Sequence, residues 1–333
     1  MVTIIDVARA AGVAPSTVSY VLNGKRPISA DTRRQVEQCI RQLGYRPPSR
    51  RTPAPRHRTG VLGLVAPLGV GANLPAMIRF VGATMVAARA KEHDLLLFTD
   101  DGGVSGLRRA MSTAVADALI VLDVQASDPR IPALLTLDRP VVLVGEPDRP
   151  TGLPCVDIDF AASANRAVEH LAGLGHRSVG LVGAQLPAAA RRFTRSFEVA
   201  AGRHGLRTRW RSCEDSGEAV RGCLDALIGE DPGITALVVE NEVVLPAVIE
   251  HLRRHGRRVP EDVSVIAVCH EESAVRSPVR FTSVALPTAE LGKLAVEVAL
   301  RLDEQAPPET RLLASVLTIR ESTGPGPVTS SCA

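Results

Sequence analysis

Residues 3–47 read TIIDVARAAGVAPSTVSYVLNGKRPISADTRRQVEQCIRQLGYRP. Thr3 followed three residues later by Asp6 is a capping pair, and it opens a helix whose apolar face is Ile5, Val7, Ala8 and Ala11. Gly12 ends that helix, because glycine accepts the left-handed conformation of a helix stop. Pro15 suits the first turn of a second helix, where a missing N–H costs nothing. That helix runs to about Leu22, with Val18, Val21 and Leu22 inward and Ser16, Thr17, Ser19 and Tyr20 on its other faces; Asn23-Gly24 closes it. Ser29 caps a third helix through Leu43, with Val36, Ile40 and Leu43 on one face. Three short helices around a tight turn, the second one polar, predict an all-α helix-turn-helix.

Charge points the same way. Residues 1–60 hold eleven Lys or Arg against three Asp or Glu, a net +8, so with +3 overall the rest of the chain carries −5. Clustered cations gain by releasing counterions from phosphates, which suggests a polyanion as partner. The second helix offers its free N–H groups and positive dipole end to phosphate, and Thr17 and Ser19 are short enough to donate without propping the helix out of a groove.

From Gly60 the pattern changes to short apolar runs between helical stretches: Val61–Ala66, Leu95–Phe98, Ala118–Leu122 and Val141–Val144, then Ser178–Val182, Ala236–Glu240 and Val263–Val268. Strands alternating with helices predict parallel sheets, and two series predict two lobes with a cleft between them. The 333 residues, 45% hydrophobic and 23% charged, suit a globular chain of about two to three domains. No 18-residue apolar run is free of charge or proline, so no membrane partner is expected. Asp6 and Arg9 stand where a secretory signal would be apolar, and Cys39, Cys155, Cys213, Cys223, Cys269 and Cys332 form no CxxC pair. The expectation is a cytoplasmic protein with reduced thiols.

The first 47 residues closely resemble the headpiece of the lactose-repressor (LacI/GalR) family of bacterial transcription regulators. The matching pieces are Thr3-Ile4, Asp6-Val7-Ala8, Gly12-Val13, Ser16-Thr17-Val18-Ser19, Asn23, Thr32-Arg33, Val36 and Leu43-Gly44-Tyr45 with Pro47. AVEHLAGLGHRSVGLVG (167–183), RRVPEDVSVIAV (257–268), LGKLAVEVALRL (291–302) and LTIRESTGPG (317–326) extend the resemblance over essentially the whole chain. It implies a headpiece at 1–46, a linker at 47–59, a two-lobed periplasmic-binding-protein-like α/β domain with parallel sheets at 60–327, and a tail at 328–333. The N-lobe would hold about 60–160 and 287–315, and the C-lobe about 161–286 and 316–327. It also implies double-stranded operator DNA as partner, a homodimer on a pseudo-palindromic site, a repressor's role, and a small-molecule effector in the cleft.

Residue by residue, the resemblance assigns base reading to Pro15, Ser16 and Tyr20, and backbone contacts to Thr3, Thr17, Ser19, Asn23 and Tyr45. Tyr20 stands where Arg or His is frequent, so bidentate guanine recognition from that position is lost. Relatives carry a hinge helix with a minor-groove leucine after the headpiece. Here Pro47, Pro48, Pro53 and Pro55 argue against a helix, and Ala54 takes the leucine's place. Arg50 and Arg51 could instead follow a groove as an extended arm or touch phosphates as a basic linker.

The cleft positions depart further. The aromatic pair after the first strand falls on Asn73 and Leu74, the arginine position on Phe193 beside Arg191 and Arg192, and the aspartate after the 263–268 run on Cys269, followed by His270. The Asn-Asp pair becomes Asn241-Glu242. Three readings stay open: a different, less polar ligand; a pocket retuned around Arg192, Glu242 and His270; or a cleft without effector. His251 and His255, four apart on a predicted helix, have zinc-compatible spacing, but Arg253, Arg254, Arg257 and Arg258 surround them, so a solvated basic helix end and no metal are expected. His170 and His176 are expected to be structural. GLVGAQ (180–185) lacks a full phosphate-cradling pattern, and no GxSxG, Walker or HExxH motif is present. No cofactor and no catalytic residue are expected; Cys269 beside His270 is the one tempting pair, but neighbours on a strand end point opposite ways. The tail STGPGPVTSSCA has no leucine heptad for a tetramerising coiled coil.

Overall fold

The computed structural model describes residues 4–15, 17–18, 21, 28–43, 59–67, 74–100, 107, 116–184, 188–301 and 308–327. The chain divides into two compact units, Met1–His57 and Arg58–Ala333. In the first, helix α1 (Ile4–Ala10) stops at Gly12, whose φ of 60° only glycine adopts without strain, and the Val13 amide turns back to the Ala8 carbonyl at 3.0 Å. Pro15, Thr17, Val18 and Val21 are helical. Helix α2 (Ala30–Leu43) is capped by Ser29, whose Oγ accepts from the Thr32 amide at 3.2 Å. Val7, Ala8, Ala11, Val18, Val21, Val36 and Cys39 close a small core. Two assigned core faces need correction: Ile5 is 54% exposed and Leu43 lies at the rim, while Cys39 takes the inward place on α2. Thr3, Leu22, Asn23, Gly24 and Tyr45 lie outside the described residues, as does the linker before Thr59 with the hinge expectations attached to it.

In the second unit, strands that are apolar on both faces are sandwiched between helices, and this produces two six-stranded sheets. The elements of the first are β1 (Val61–Pro67), α3 (Leu74–Arg89), β2 (Asp94–Asp100), β3 (Ala118–Val121), the short α4 (Ile131–Leu134), β4 (Val141–Val144) and β5 (Cys155–Ile158). The chain then enters α5 (Phe160–Gly173), β6 (Ser178–Ala184), α6 (Ala188–Arg203), β7 (Arg207–Cys213), α7 (Gly217–Glu230), β8 (Ala236–Val239), α8 (Leu245–Arg254), β9 (Ser264–Cys269), α9 (Glu271–Arg276) and β10 (Thr282–Ala285). Helix α10 (Thr288–Arg301) and β11 (Thr310–Leu313) return to the first sheet, and β12 (Leu317–Thr318) ends in the second.

The first sheet runs β11-β5-β4-β3-β1-β2, all parallel; the second runs β12-β10-β9-β8-β6-β7, parallel except for β12 against β10. Each therefore reverses direction of winding beside its first strand, between β1 and β3 and between β6 and β8, where carboxyl strand ends open a crevice. Phe160 and Leu286, at two of the passages between lobes, pack against the cores of both. Residues in β5, β7, β10 and β11 were not among the apolar runs picked out in the sequence. Edge strand β7, RTRWRSC, is mostly exposed, so nothing demands an apolar pattern there. Glycine in the strands serves packing: a Cβ on Gly63 would stand 2.6 Å from Leu119 Cδ2, and one on Gly180 2.7 Å from Leu237 Cδ2. No helix among the described residues is long and apolar enough to cross a membrane.

Candidate nucleic-acid interface and interlobe cleft

In the headpiece unit, Pro15 is exposed and Thr17 half-buried at the start of the second helix, the latter's amide bonding back to the Ala14 carbonyl at 2.9 Å. Val18 and Val21 anchor this helix in the headpiece core. Ser16, Ser19, Tyr20, Asn23, Arg50 and Arg51 lie outside the described residues.

The cleft of the larger unit is lined where strands end. From the C-lobe, α6 sends two adjacent arginines across it. Arg191 Nη2 donates to Gln125 Oε1 at 2.8 Å; Arg192 donates to the Glu146 carbonyl at 3.0 Å and to Asp157 Oδ2 at 2.5 Å, and its guanidinium stands 5.7 Å over the Phe160 ring. Burial pushes the Asp157 carboxyl up to about 6, against the pull of Arg192 and of amide donors from Ile158 and Glu146. Arg79 on α3 meets Glu272 on α9 at 3.1 Å, a second bridge between the lobes.

The C-lobe switch point carries three consecutive polar residues after β8. Glu240 is half-buried, but its Oε2 is enclosed without a hydrogen-bond partner among the described residues, and burial pushes its carboxyl up to about 8. Asn241 is spent locally: its Oδ1 caps the Glu242–Val244 turn by accepting from Val243 N at 3.1 Å, and its Nδ2 donates to Asp215. Glu242 accepts from both the amide and Nδ1 of His270 at 3.1 Å; burial would raise its pKa, but His270 and Ser273 donors hold it at about 2. The other His270 nitrogen meets Thr288 Oγ1 at 2.7 Å, so this imidazole ties β9 to the start of α10.

Two assigned positions are corrected. Phe193 is fully buried between α6 and the second sheet, in a core with Val168, Leu181 and Phe197, and presents nothing to the cleft. Cys269 is likewise enclosed in the core on the opposite face of that sheet, with its thiol pushed up to about 12 by burial and by Glu242. Helical register explains the first, since Arg192 and Phe193 lie about 100° apart around the helix and only one can face the cleft. Strand alternation explains the second, since Cys269 points to the opposite sheet face from Val268. Leu74 begins α3, and Asn73 lies outside the described residues. Asp157, Glu146, Gln125 and Glu240 were missed in the sequence. For Gln125, Glu146 and Glu240 the one signal was position, at or just past the carboxyl end of an apolar run, whereas Asp157 lies inside β5, where no run was picked out. His176 bonds Thr235, Ser264 and Gly324, a structural role.

Residues 3–48 match the lacI family of bacterial regulatory proteins, and residues 168–323 match a periplasmic binding protein-like domain. An uncharacterized HTH-type transcriptional regulator from the aml 5' region of Streptomyces limosus is 30% identical, with 88% of this chain and 87% of that protein covered. The chain belongs to the LacI family. Its helix-turn-helix headpiece and two-lobed α/β domain are those of a DNA-binding transcriptional regulator of that family. The HTH-type transcriptional regulator reg1 of Streptomyces lividans is 28% identical over 97% of this chain and 96% of its own length. Among solved structures, a complex of the regulator CelR with cellobiose superposes with a TM-score of 0.71 at 26% identity, covering 97% of this chain and all of that one. The lac repressor dimer bound to operator shares the fold, with a TM-score of 0.71 at 22% identity over 97% of this chain and 99% of that one.

Proposed function

We propose that this LacI-family chain is a cytoplasmic repressor that binds a pseudo-palindromic operator as a homodimer, and that its interlobe cleft takes a polar, hydroxylated small molecule. The observation that carries the cleft reading is Arg192, which reaches from one lobe to Asp157 and the Glu146 carbonyl of the other. Arg192, Asp157 and Gln125 supply donors and acceptors suited to hydroxyl groups, which favours a polar ligand over a less polar one. Of the trio Arg192, Glu242 and His270 only Arg192 takes part, since the other two are bonded to each other. A ligand that replaced these bridges would change the closure of the lobes. The CelR–cellobiose complex is a relative with a sugar bound.

The dimer reading rests on one face of the N-lobe. Ile78, Met85 and Val86, seven and eight residues apart on α3, are 60%, 55% and 68% exposed, and a Cβ on Gly82 in the same stripe would touch nothing within 4 Å. Leu97, on the same side of edge strand β2 as Leu95, adds to it. So much apolar surface on one helix and the adjoining edge suits a two-fold interface. An enzymatic role finds no support in Cys269 and His270: the thiol is enclosed and hard to ionise, and the imidazole is engaged by Glu242 and Thr288.

Selection of bound duplexes from a random pool by the full-length protein tests the reading. An inverted repeat is expected, released by one member of a panel of mono- and disaccharides. Within the headpiece, Tyr20→Ala should change the preferred sequence, whereas Thr17→Ala should weaken all sequences alike; equal losses for both across operator variants would overturn that division.

A further inference from the structure

Helices α7 and α8 pack side by side on the C-lobe, and one polar cluster joins them away from the cleft. His251 on α8 has a side chain only 1% exposed, yet neither of its ring nitrogens has a hydrogen-bond partner among the described residues. Its Nε2 lies 3.4 Å from Asp225 Oδ1 on α7. One turn on, the His255 ring stacks on it, with centroids 4.2 Å apart and planes 29° apart. His255 Nδ1 donates to the His251 carbonyl at 2.9 Å, which fixes the tautomer and leaves the Nε2 lone pair free, 4.0 Å from the same Asp225 oxygen. One ligand atom from each of the three residues lies within 4.8 Å of the others.

We infer that Asp225, His251 and His255 form a binding site for a divalent transition-metal ion of the zinc type, which clamps α7 to α8. A buried imidazole without a hydrogen bond at either nitrogen is costly, and a cation that takes its lone pair relieves part of that cost. Ligand bonds of about 2.0–2.2 Å place tetrahedral donors about 3.4 Å apart, so the three gather when the exposed His255 ring turns out of the stack to aim its lone pair at the ion, with water as fourth ligand. Imidazole and carboxylate donors favour zinc, nickel or cobalt over magnesium or calcium.

The arginines that argued against a cation are engaged elsewhere. Arg253 and Arg254 both bond Glu250, at 2.9 and 2.7 Å, Arg258 bonds Asp262 at 3.0 Å, and Arg257 turns to the Ile234 carbonyl. Among the described residues, Arg221, on the same helix as Asp225, is a further positive charge facing the site.

The test uses tag-free, chelator-stripped full-length protein, titrated with Zn²⁺ by calorimetry and with Co²⁺ by visible absorption. One equivalent of zinc should bind at micromolar concentration and raise the melting temperature. Asp225→Asn and His255→Gln, at exposed positions that leave the fold intact, should each weaken zinc binding at least about tenfold and abolish the zinc-dependent rise. Their melting temperatures without metal should stay near that of the parent. Absence of binding at tens of micromolar zinc, or equal affinity in the parent and both variants, would overturn the proposal.

Discussion

At the scale of single residues, the carboxylates at the cleft divide by environment. Glu240 and Asp157 have their proton affinity raised in the fold, Glu240 to about 8 and Asp157 to about 6, whereas Glu242 is held at about 2. A group whose folded pKa exceeds its unfolded value favours the fold below the unfolded value, and that contribution is lost as pH rises through the folded one. Glu240 should therefore cost stability as pH climbs from about 4.5 through 8, and Glu240→Gln should flatten the fall in melting temperature over that window. Glu242 works in the opposite sense: its contribution is present above about 4.5 and disappears as pH falls toward 2, so Glu242→Gln should lower the melting temperature at pH 7 and reduce the remaining acid sensitivity. Parallel plots of melting temperature against pH for parent and variants, from about pH 2 to 9, would refute both assignments.

At the scale of elements, the segment after β3 is fastened by an enclosed ion pair. Arg130 Nε and Nη2 donate to Asp128, Nη2 also reaches the Leu122 and Asp123 carbonyls, and both side chains are 2% exposed. Removing one partner strands a buried charge. Arg130→Met should cost about 3–5 kcal/mol in urea unfolding, and adding Asp128→Leu should recover part of the loss. A single-variant loss below about 1 kcal/mol would contradict this account. Helix contact is equally tight between α3 and α10, where a Cβ on Gly292 would stand 3.0 Å from the Thr84 amide. Gly292→Val should push these helices apart at a cost of about 1–3 kcal/mol. Neither feature was read from the sequence. Arg130 looks like one more arginine among 36, and Gly292 sits inside an ordinary helical pattern.

At the scale of the whole molecule, the apolar stripe on α3 makes association testable. Met85→Glu with Val86→Lys should convert a dimer to monomers in sedimentation velocity, weaken operator binding, and remove the concentration dependence of the melting temperature that a dimer shows. A monomeric parent, or a double variant that stays dimeric, would sink the interface assignment. Sequence by itself determined the helix-turn-helix, its basic charge, the alternation of strands and helices, and the doubly wound class, because helix stops, caps and apolar runs are local signals with fixed periods. Tertiary structure alone decided which polar residues meet. Arg192 joins Asp157 35 positions away, and Phe193 turns inward beside it. His251 is brought against Asp225 with its arginine neighbours already engaged. Such pairings depend on helix rotation and lobe contact, which no local pattern encodes, and a buried polar group shows its demand for a partner only once the chain around it has closed.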